Sequence, residues 1–370
     1  MISMNERSPQ TKARVLFIAD HREGRAPNQR YRFEQYLGHL RENGFECVLS
    51  PLISAEDDPV VYSKGNYLGK MRILHKMYSI RRRDVQRTNE FDIIFICRQA
   101  LMTRSTYFEK AFRKSRAKLI YDFDDAIWLQ SVSDANKRWS WLKDPGKTAA
   151  LISLADRVIA GNDFLAAYAK RSNDRVSVIP STIDTDLYRP KQHSQKAKVM
   201  IGWSGSITTV QHFLLARPAL IELKKRFGDR IGIRLIGEPN FNDPELEAQV
   251  IRWKAATEVQ DLEPIDIGLM PLPDTEWARG KCGMKGLQYM GLGIPPVMSP
   301  VGVNTSIVTD GVNGFLAATT EEWVEKIGRL IEDADLRARM GAEARKTVVM
   351  HYSVKAWRNE YLRLFEELIG

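Results

Sequence analysis

Short apolar runs alternate with longer amphipathic segments along this chain, and they do so in two series. Residues 14–19 (RVLFIA) read as a buried strand, and a polar loop follows to Gln29. An amphipathic helix is predicted from about Arg30, with Phe33, Tyr36, Leu37 and Leu40 at helical spacing. Gly44 closes that helix and residues 45–49 give the second strand. Further strands are predicted at 91–97 (FDIIFIC), 118–121 (KLIY), 156–161 (DRVIAG) and 176–179, the last stopped by Pro180, with Asn162 or Asp163 capping a helix. Residues 181–198 are polar, carry Pro190 and lack periodicity, which marks an interdomain linker. A second series runs through strands at 199–203, 231–236, 250–254 and 265–270, with a helix over about 209–227. Thr319 and Glu322 form a capping box, and Ser353 is the N-cap of a tail helix with Trp357, Tyr361, Leu364 and Leu368 on one face. Such a face must be buried, most simply across both domains.

Strands that alternate with helices predict an α/β chain of two Rossmann-like, doubly wound domains. Expected boundaries are 1–185 for the first, 186–352 for the second and 353–370 for a helix crossing back to the first. The loop after the first strand offers Gly24, Arg25, Asn28 and Arg30 but no G-x-G-x-x-G. Elsewhere Gly291 and Gly293 sit at a helix end without a third glycine, so a dinucleotide dehydrogenase is discarded.

Composition narrows the class of protein. The 370 residues suit two domains, and 44% hydrophobic with 27% charged residues are globular values. No run approaches the roughly 20 apolar residues of a membrane span, which predicts a cytoplasmic protein, soluble or peripheral on the inner membrane face. Residues 1–12 read as a polar leader and not a secretory signal. Cys47, Cys97 and Cys282 have no C-x-x-C spacing, which favours a reducing compartment over structural zinc or disulfides.

A net charge of +9 asks for an anionic partner. Residues 62–88 concentrate Lys64, Lys70, Arg72, Lys76, Arg81, Arg82, Arg83 and Arg87 against one acid, Asp84. Leu68, Met71, Leu74, Met77 and Tyr78 recur there every three or four residues, which predicts a basic amphipathic helix. It either packs on the core with a solvated basic back or lies on an anionic membrane surface. Nucleic acid is set aside, because no aromatic-interleaved platform accompanies the charge.

Two stretches carry candidate chemistry. The strand at 118–121 delivers Asp122, Asp124 and Asp125 at its carboxyl end, and three carboxylates so close need a cation, hydrogen-bond donors or open water. They serve a ligand there, or one of them caps the next helix. In the stretch 276–316 a glycine-flanked basic loop with Arg279, Lys281 and Gly283 leads into a short helix carrying Lys285 and Gln288 and ending at Gly293. Helix-start amides beside fixed cations suit phosphate-like anions, and the alternative is a solvated basic turn.

The ordered segments YDFDDAIW (121–128), ADRVIAGNDFLAAYA (155–169), VIPSTID (178–184), IGWSGS (201–206), DIGLMPLPD (266–274) and GKCGMKGLQYMGLGIPPVMSPVGVN (280–304) resemble the GT-B glycosyltransferases, specifically glycosyltransferase family 4. The resemblance implies a nucleotide-sugar donor, with its diphosphate against Arg279, Lys281 or Lys285 and the amides of Ser204, Gly205 and Ser206. It puts Gly237, Glu238, Ala255 and Ala256 beside the base and ribose, and brings Gly24 and Arg30 from the first loop. Asp124 and Asp125, with Arg279 and Lys281, fall where the family acts on the reacting sugar. Many members carry two glutamates eight residues apart around the donor helix; here Gly280 and Gln288 stand in their places. The usual Gly-Gly of the first loop and the usual lysine after the Gly205 loop are missing as well.

The implied reaction is transfer to a hydroxyl of a glycan or lipid-linked acceptor in cell-surface polysaccharide synthesis. The expectation is a retaining outcome, no cofactor and no catalytic metal, with the donor's own phosphate taking the acceptor proton. His21, His39, His75, His193, His212 and His351 are scattered and none pairs with an acid at a recognisable spacing. Competing readings are an epimerase or phosphorylase on the same plan, although no lysine for pyridoxal phosphate is identified, and a non-catalytic sugar-nucleotide binder.

Overall fold

A computed structural model describes residues 11–63, 65–129, 144–190, 198–206 and 209–370. Most of the 1–12 leader, Lys64, His193 and the 191–197 part of the expected linker lie outside the described residues. The chain divides into two units, Met1–Pro180 with Arg358–Gly370, and Ser181–Trp357.

The first unit holds a six-stranded, fully parallel sheet: β1 (Ala13–His21), β2 (Phe45–Ile53), β3 (Ile93–Cys97), β4 (Lys118–Phe123), β5 (Arg157–Ala160) and β6 (Val176–Val178). Its order is β2-β1-β3-β4-β5-β6, so the winding reverses between β1 and β3. Those two strands are apolar on both faces because helices cover both, which explains why they read as continuous runs. Phe33 stacks on Phe17 at 5.1 Å, and Phe365 from the tail helix joins them. Tyr361 of the same helix stacks on Tyr36 with centroids 4.2 Å apart.

The second unit holds β7 (Val199–Ser204), β8 (Ile231–Ile236), β9 (Gln249–Ile251), β10 (Ile267–Met270), β11 (Pro296–Met298) and β12 (Phe315–Leu316), again all parallel. Its order, β12-β11-β10-β7-β8-β9, is the doubly wound pattern of the Rossmann fold, with the reversal between β7 and β10. Trp203, Phe213, Leu220, Ile233, Leu269 and Ile327 belong to one core. The capping box forms as expected, with Thr319 Oγ1 accepting from the Glu322 amide.

Four segments differ from the pattern-based reading. The helix expected from Arg30 is broken into Pro27–Arg30, a 3-10 turn Glu34–Tyr36, and Leu37–Glu42. The break lets Arg32 turn inward, where its Nη2 donates to Asp122 Oδ1 at 2.5 Å and Nη1 to the Ile179 carbonyl. Residues 181–190 are no loose linker: Ile183 and Tyr188 are buried, and Arg345 donates to the Thr185 and Tyr188 carbonyls. Too few apolar residues anchor this segment for periodicity to register. The strand expected over 250–254 spans Gln249–Ile251, and Ala255 and Ala256 stand exposed on the 3-10 turn Ala255–Thr257. Finally, the Tyr67–Gln86 helix buries Ile73, Met77, Arg81 and Asp84, and leaves Leu68, Met71, Leu74 and Tyr78 exposed. Arg81 and Asp84 lie on the core side as a buried ion pair, which periodicity of apolar residues does not register.

Candidate active site

In doubly wound sheets ligands gather at the carboxyl ends of the strands where the order reverses. In the second unit that place is the end of β7 and β10. Small residues let the elements close on it: a Cβ on Gly268 would stand 2.3 Å from the Tyr289 ring, so glycine there admits the Met284–Gly291 helix to the sheet. Tyr289, fully buried, then reaches across to accept from the Ser204 amide at 2.9 Å. At Gly237, φ is 131° and a Cβ would lie 1.6 Å from the Gly205 carbonyl oxygen. Only glycine permits that approach of the two strand-end loops.

The loop amides do not stand ready for a diphosphate as the resemblance implied. Ser204 N–H is taken by Tyr289, Gly205 N–H donates to the Ile236 carbonyl at 2.9 Å, and Ser206 N–H donates to Thr209 Oγ1 at 3.0 Å. What the 204–206 loop offers is close backbone surface. The cations are nearer the expectation. Lys285 Nζ lies 5.6 Å from the centre of the Trp203 ring, and Lys281 Nζ lies 4.7 Å from that of Trp277. Each ammonium rests on an indole face, which helps to orient it. Arg279 differs, because both its Nε and Nη2 are held by Asp274, at 2.9 and 3.2 Å, on an exposed turn. Arg279 ends the Glu276–Arg279 helix, capped by Thr275, so the predicted basic loop is shorter than read. Gly283, with φ of 69°, opens the Met284–Gly291 helix.

Gln288 is buried, and its Nε2 donates to Tyr188 Oη at 3.0 Å. Tyr188 in turn donates to Glu258 Oε2 at 3.0 Å, and Trp253 Nε1 donates to Glu258 Oε1 at 2.8 Å. The residue that stands where many family members carry a glutamate thus belongs to a buried polar chain. Glu258 at its centre carries the carboxylate missing from position 288. Glu238 is buried too, and accepts from the Asn240 amide at 2.9 Å.

One residue at this edge was missed by sequence reasoning. His212 follows the 204–206 loop and is buried, and its pKa is pushed down to about 4, first by burial and then by the charges of Lys285 and Lys281. The signal available was position alone, since His212 has no neighbouring acid in the sequence.

At the corresponding edge of the first unit the three predicted carboxylates have found their cations. Arg98 donates to Asp124 Oδ1 at 2.7 Å through Nε and to Asp125 Oδ2 at 3.1 Å through Nη2, and burial sends Asp122 to Arg32. Among the described residues neither Asp124 nor Asp125 is the N-cap of a helix. Arg98 itself holds a left-handed φ of 63°, a strained conformation that turns it toward the acids. Asp20, at the end of β1, is buried, and burial pushes its carboxyl up against the pull of Arg81. Gly24, with φ of 79°, donates to Glu34 Oε2 at 2.8 Å, and the Arg30 guanidinium lies over the Tyr31 ring.

Comparison with known proteins bears on both edges. Residues 276–347 match the model of the family described as glycosyl transferases group 1. The D-inositol 3-phosphate glycosyltransferases of Thermobifida fusca and Kribbella flavida are each 23% identical, over 244 and 240 residues. These cover 57% and 56% of this chain and 54% of each relative, so the chain spans about half the length of the curated relatives it matches. Among solved structures, sucrose-phosphate synthase from Thermosynechococcus elongatus superposes with a TM-score of 0.69 at 13% identity, covering 96% of this chain and 98% of that one. HepE of Anabaena, solved with UDP and glucose, gives 0.62 at 15% identity, covering 96% and 100%. Twin parallel sheets of this kind, superposing on these structures over nearly the whole chain, give it the GT-B fold, and the segment 276–347 of its second unit is similar to the glycosyl transferases group 1.

Proposed function

We propose that the protein transfers a hexosyl group from a nucleotide-diphosphate sugar to a hydroxyl of a glycan or lipid-linked acceptor, in cell-surface polysaccharide synthesis at the cytoplasmic side of a membrane. The observation that carries this reading is the gathering of Lys281 and Lys285 near a neutral His212 at the strand ends of β7 and β10. A UDP-sugar is the first donor to test, because HepE was solved with UDP and glucose.

In the proposed reaction the bond between the anomeric carbon and the diphosphate oxygen breaks, and a bond from that carbon to the acceptor oxygen forms. The acceptor proton passes to an oxygen of the departing phosphate, which suits a retaining outcome and needs no histidine base. Lys281 and Lys285 stabilise the charge that grows on the diphosphate. Preorganised cations of this kind are typically worth about 3–4 kcal/mol each, or a factor of roughly 100 to 1,000 in rate. Fixed cations also make a divalent metal unnecessary to the proposed chemistry. Gly237, Glu238, Ala255 and Ala256 remain the proposed border of the nucleoside, and Gly24 and Arg30 the first unit's contribution. Asp124 and Asp125, held by Arg98, are proposed to orient the reacting hydroxyls. Arg279 is expected to exchange Asp274 for phosphate.

The test is release of free nucleotide from a panel of nucleotide-sugars, with and without acceptor. Lys281→Ala and Lys285→Ala should each lower kcat/KM by about 100-fold. Unchanged kinetics in both variants would remove these residues from the site. The burial of Gln288 against Tyr188 favours a second reading, a non-catalytic sugar-nucleotide binder. Thermal stabilisation by a donor, with no nucleotide released under any condition, selects that reading.

A further inference from the structure

The Tyr67–Gln86 helix leaves an apolar stripe facing outward. Tyr67, Met71, Leu74 and Tyr78 recur at intervals of four, three and four, so at 3.6 residues per turn they form one line along the helix. Tyr67 is 62% exposed, Met71 66%, and Leu68, one step further round, 87%. The core side of the same helix is already occupied by Ile73, Met77, Arg81 and Asp84, so the outward stripe is not the face that holds the helix to its sheet. The patch extends beyond the helix, because Tyr78 packs edge-on against Phe108 at 5.0 Å and Tyr107 beside it is 60% exposed. More than half of the large apolar side chains left exposed among the described residues fall within residues 62–107. Clustering of this degree marks an interaction surface, where scattered single residues would not.

The charge on the other flank says what the surface fits. Arg72, Lys76 and Arg83 recur at intervals of four and seven and form a second exposed line, with Leu68, His75 and Arg82 between the two lines. Only Lys76 among these three cations is paired to an acid, Asp57, by the ion pairs described for the helix. Apolar residues beside a row of cations are complementary to a bilayer whose headgroups are anionic and whose interior takes the apolar stripe. A second copy of the chain would bring two such cationic rows together, which is unfavourable. We infer that the first unit docks on an anionic lipid surface through this face of the Tyr67–Gln86 helix, with Tyr67, Leu68, Met71 and Leu74 entering the interface and Arg72, Arg82 and Arg83 meeting the headgroups. The inference is independent of the glycosyl-transfer reading.

The full chain is sedimented with vesicles of phosphatidylcholine containing 30% phosphatidylglycerol, and with phosphatidylcholine alone, at low and high salt. Binding to the anionic vesicles only, weakening as salt shortens the Debye length from about 10 Å at 0.1 M to about 3 Å at 1 M, is expected. Leu68→Ser/Met71→Ser should reduce partitioning at least tenfold and leave Tm unchanged, since both side chains are exposed. Arg72→Ala/Arg83→Ala should reduce it by about 25-fold, at roughly fivefold per surface cation. No binding at low salt, or equal binding by the Leu68/Met71 variant, overturns the inference. So does a concentration-dependent dimer, seen by sedimentation velocity, that the Leu68/Met71 variant abolishes, because a second copy would then be the occupant.

Discussion

The two sheets finish their carboxyl edges in opposite ways. In the first unit arginines close the edge on acids: Arg32 on Asp122, Arg81 on Asp84, and Arg98 on Asp124 and Asp125. Arg81 is fully buried, and it also donates to the carbonyls of Ala19 in β1, Ser50 in β2 and Ala100 just after β3. One side chain thus satisfies three backbone acceptors at the point where the strand order reverses. In the second unit the same edge is closed by glycine backbone, Gly205 against Gly237, and its lysines rest on indole rings. An edge locked by ion pairs holds a fixed shape. An edge closed by backbone sets its shape through main-chain contact instead of through side-chain charge.

The largest expected effect breaks the locked edge. Arg81→Met should cost about 3–5 kcal/mol, because it strands the Asp84 carboxylate and three carbonyls in the interior. Hydrogen exchange should show the loss in β1, β2 and β3 and leave β7 and β8 protected as before. A cost below about 1 kcal/mol would mean that Ser50 and Arg87, which also hydrogen-bond to Asp84, suffice to hold it, and the contrast between the edges would lose its basis.

A smaller effect tests the backbone edge. Gly237→Ala places a methyl within 1.6 Å of a carbonyl oxygen, so the 204–206 loop must move. Stability should fall by about 1–3 kcal/mol, and donor affinity at least tenfold. Gly65→Ala in the first unit supplies the control. It shares a positive φ, 75°, but nothing lies within 4 Å of its Cβ position, so about 1–2 kcal/mol of backbone strain is expected with donor affinity unchanged. Equal loss of affinity in both variants would assign the Gly237 effect to general destabilisation.

This contrast also explains what could be read from the chain beforehand. The buried strands were legible because parallel strands covered on both faces are unbroken apolar runs, as in FDIIFIC and RVLFIA. The short strands β11 and β12 were not read, being two or three residues long and rich in proline or flanked by turns. The glycines and lysines around 204–206 and 279–285 were legible, since each is a local signal. Their engagement was not: that Ser204, Gly205 and Ser206 spend their amides internally depends on Tyr289, Ile236 and Thr209, which only the fold brings near. The same holds for Arg81, which in sequence is one more member of a basic run. Its burial goes with an i, i+3 pairing to Asp84 on the side of the helix that faces the core, away from the exposed part of the apolar stripe that the periodicity picked out.

The smallest effect compares a histidine from each edge. His21 ends β1 and meets Tyr62 Oη at 3.1 Å, and its pKa is pushed down to about 4, first by burial and then by Arg25, with Asp58 opposing and Arg22 adding. His212 is lowered to about 4 by burial, Lys285 and Lys281, with no acid opposing. For both, the folded value lies below the ordinary value of 6.5. Between pH 6.5 and about 4 the unfolded chain therefore binds protons that the folded chain refuses, so stability should fall as pH drops through that window and level off for these groups below it. Phe at either position should flatten part of that slope. Ligand separates the two, because an anion bound at Lys281 and Lys285 offsets the positive field that adds to burial in lowering the His212 pKa. Adding UDP should raise the His212 pKa in an NMR titration and leave His21 where it was. A shift of both histidines together would point to a global change in the fold, and a shift of neither would place the nucleotide away from the lysines.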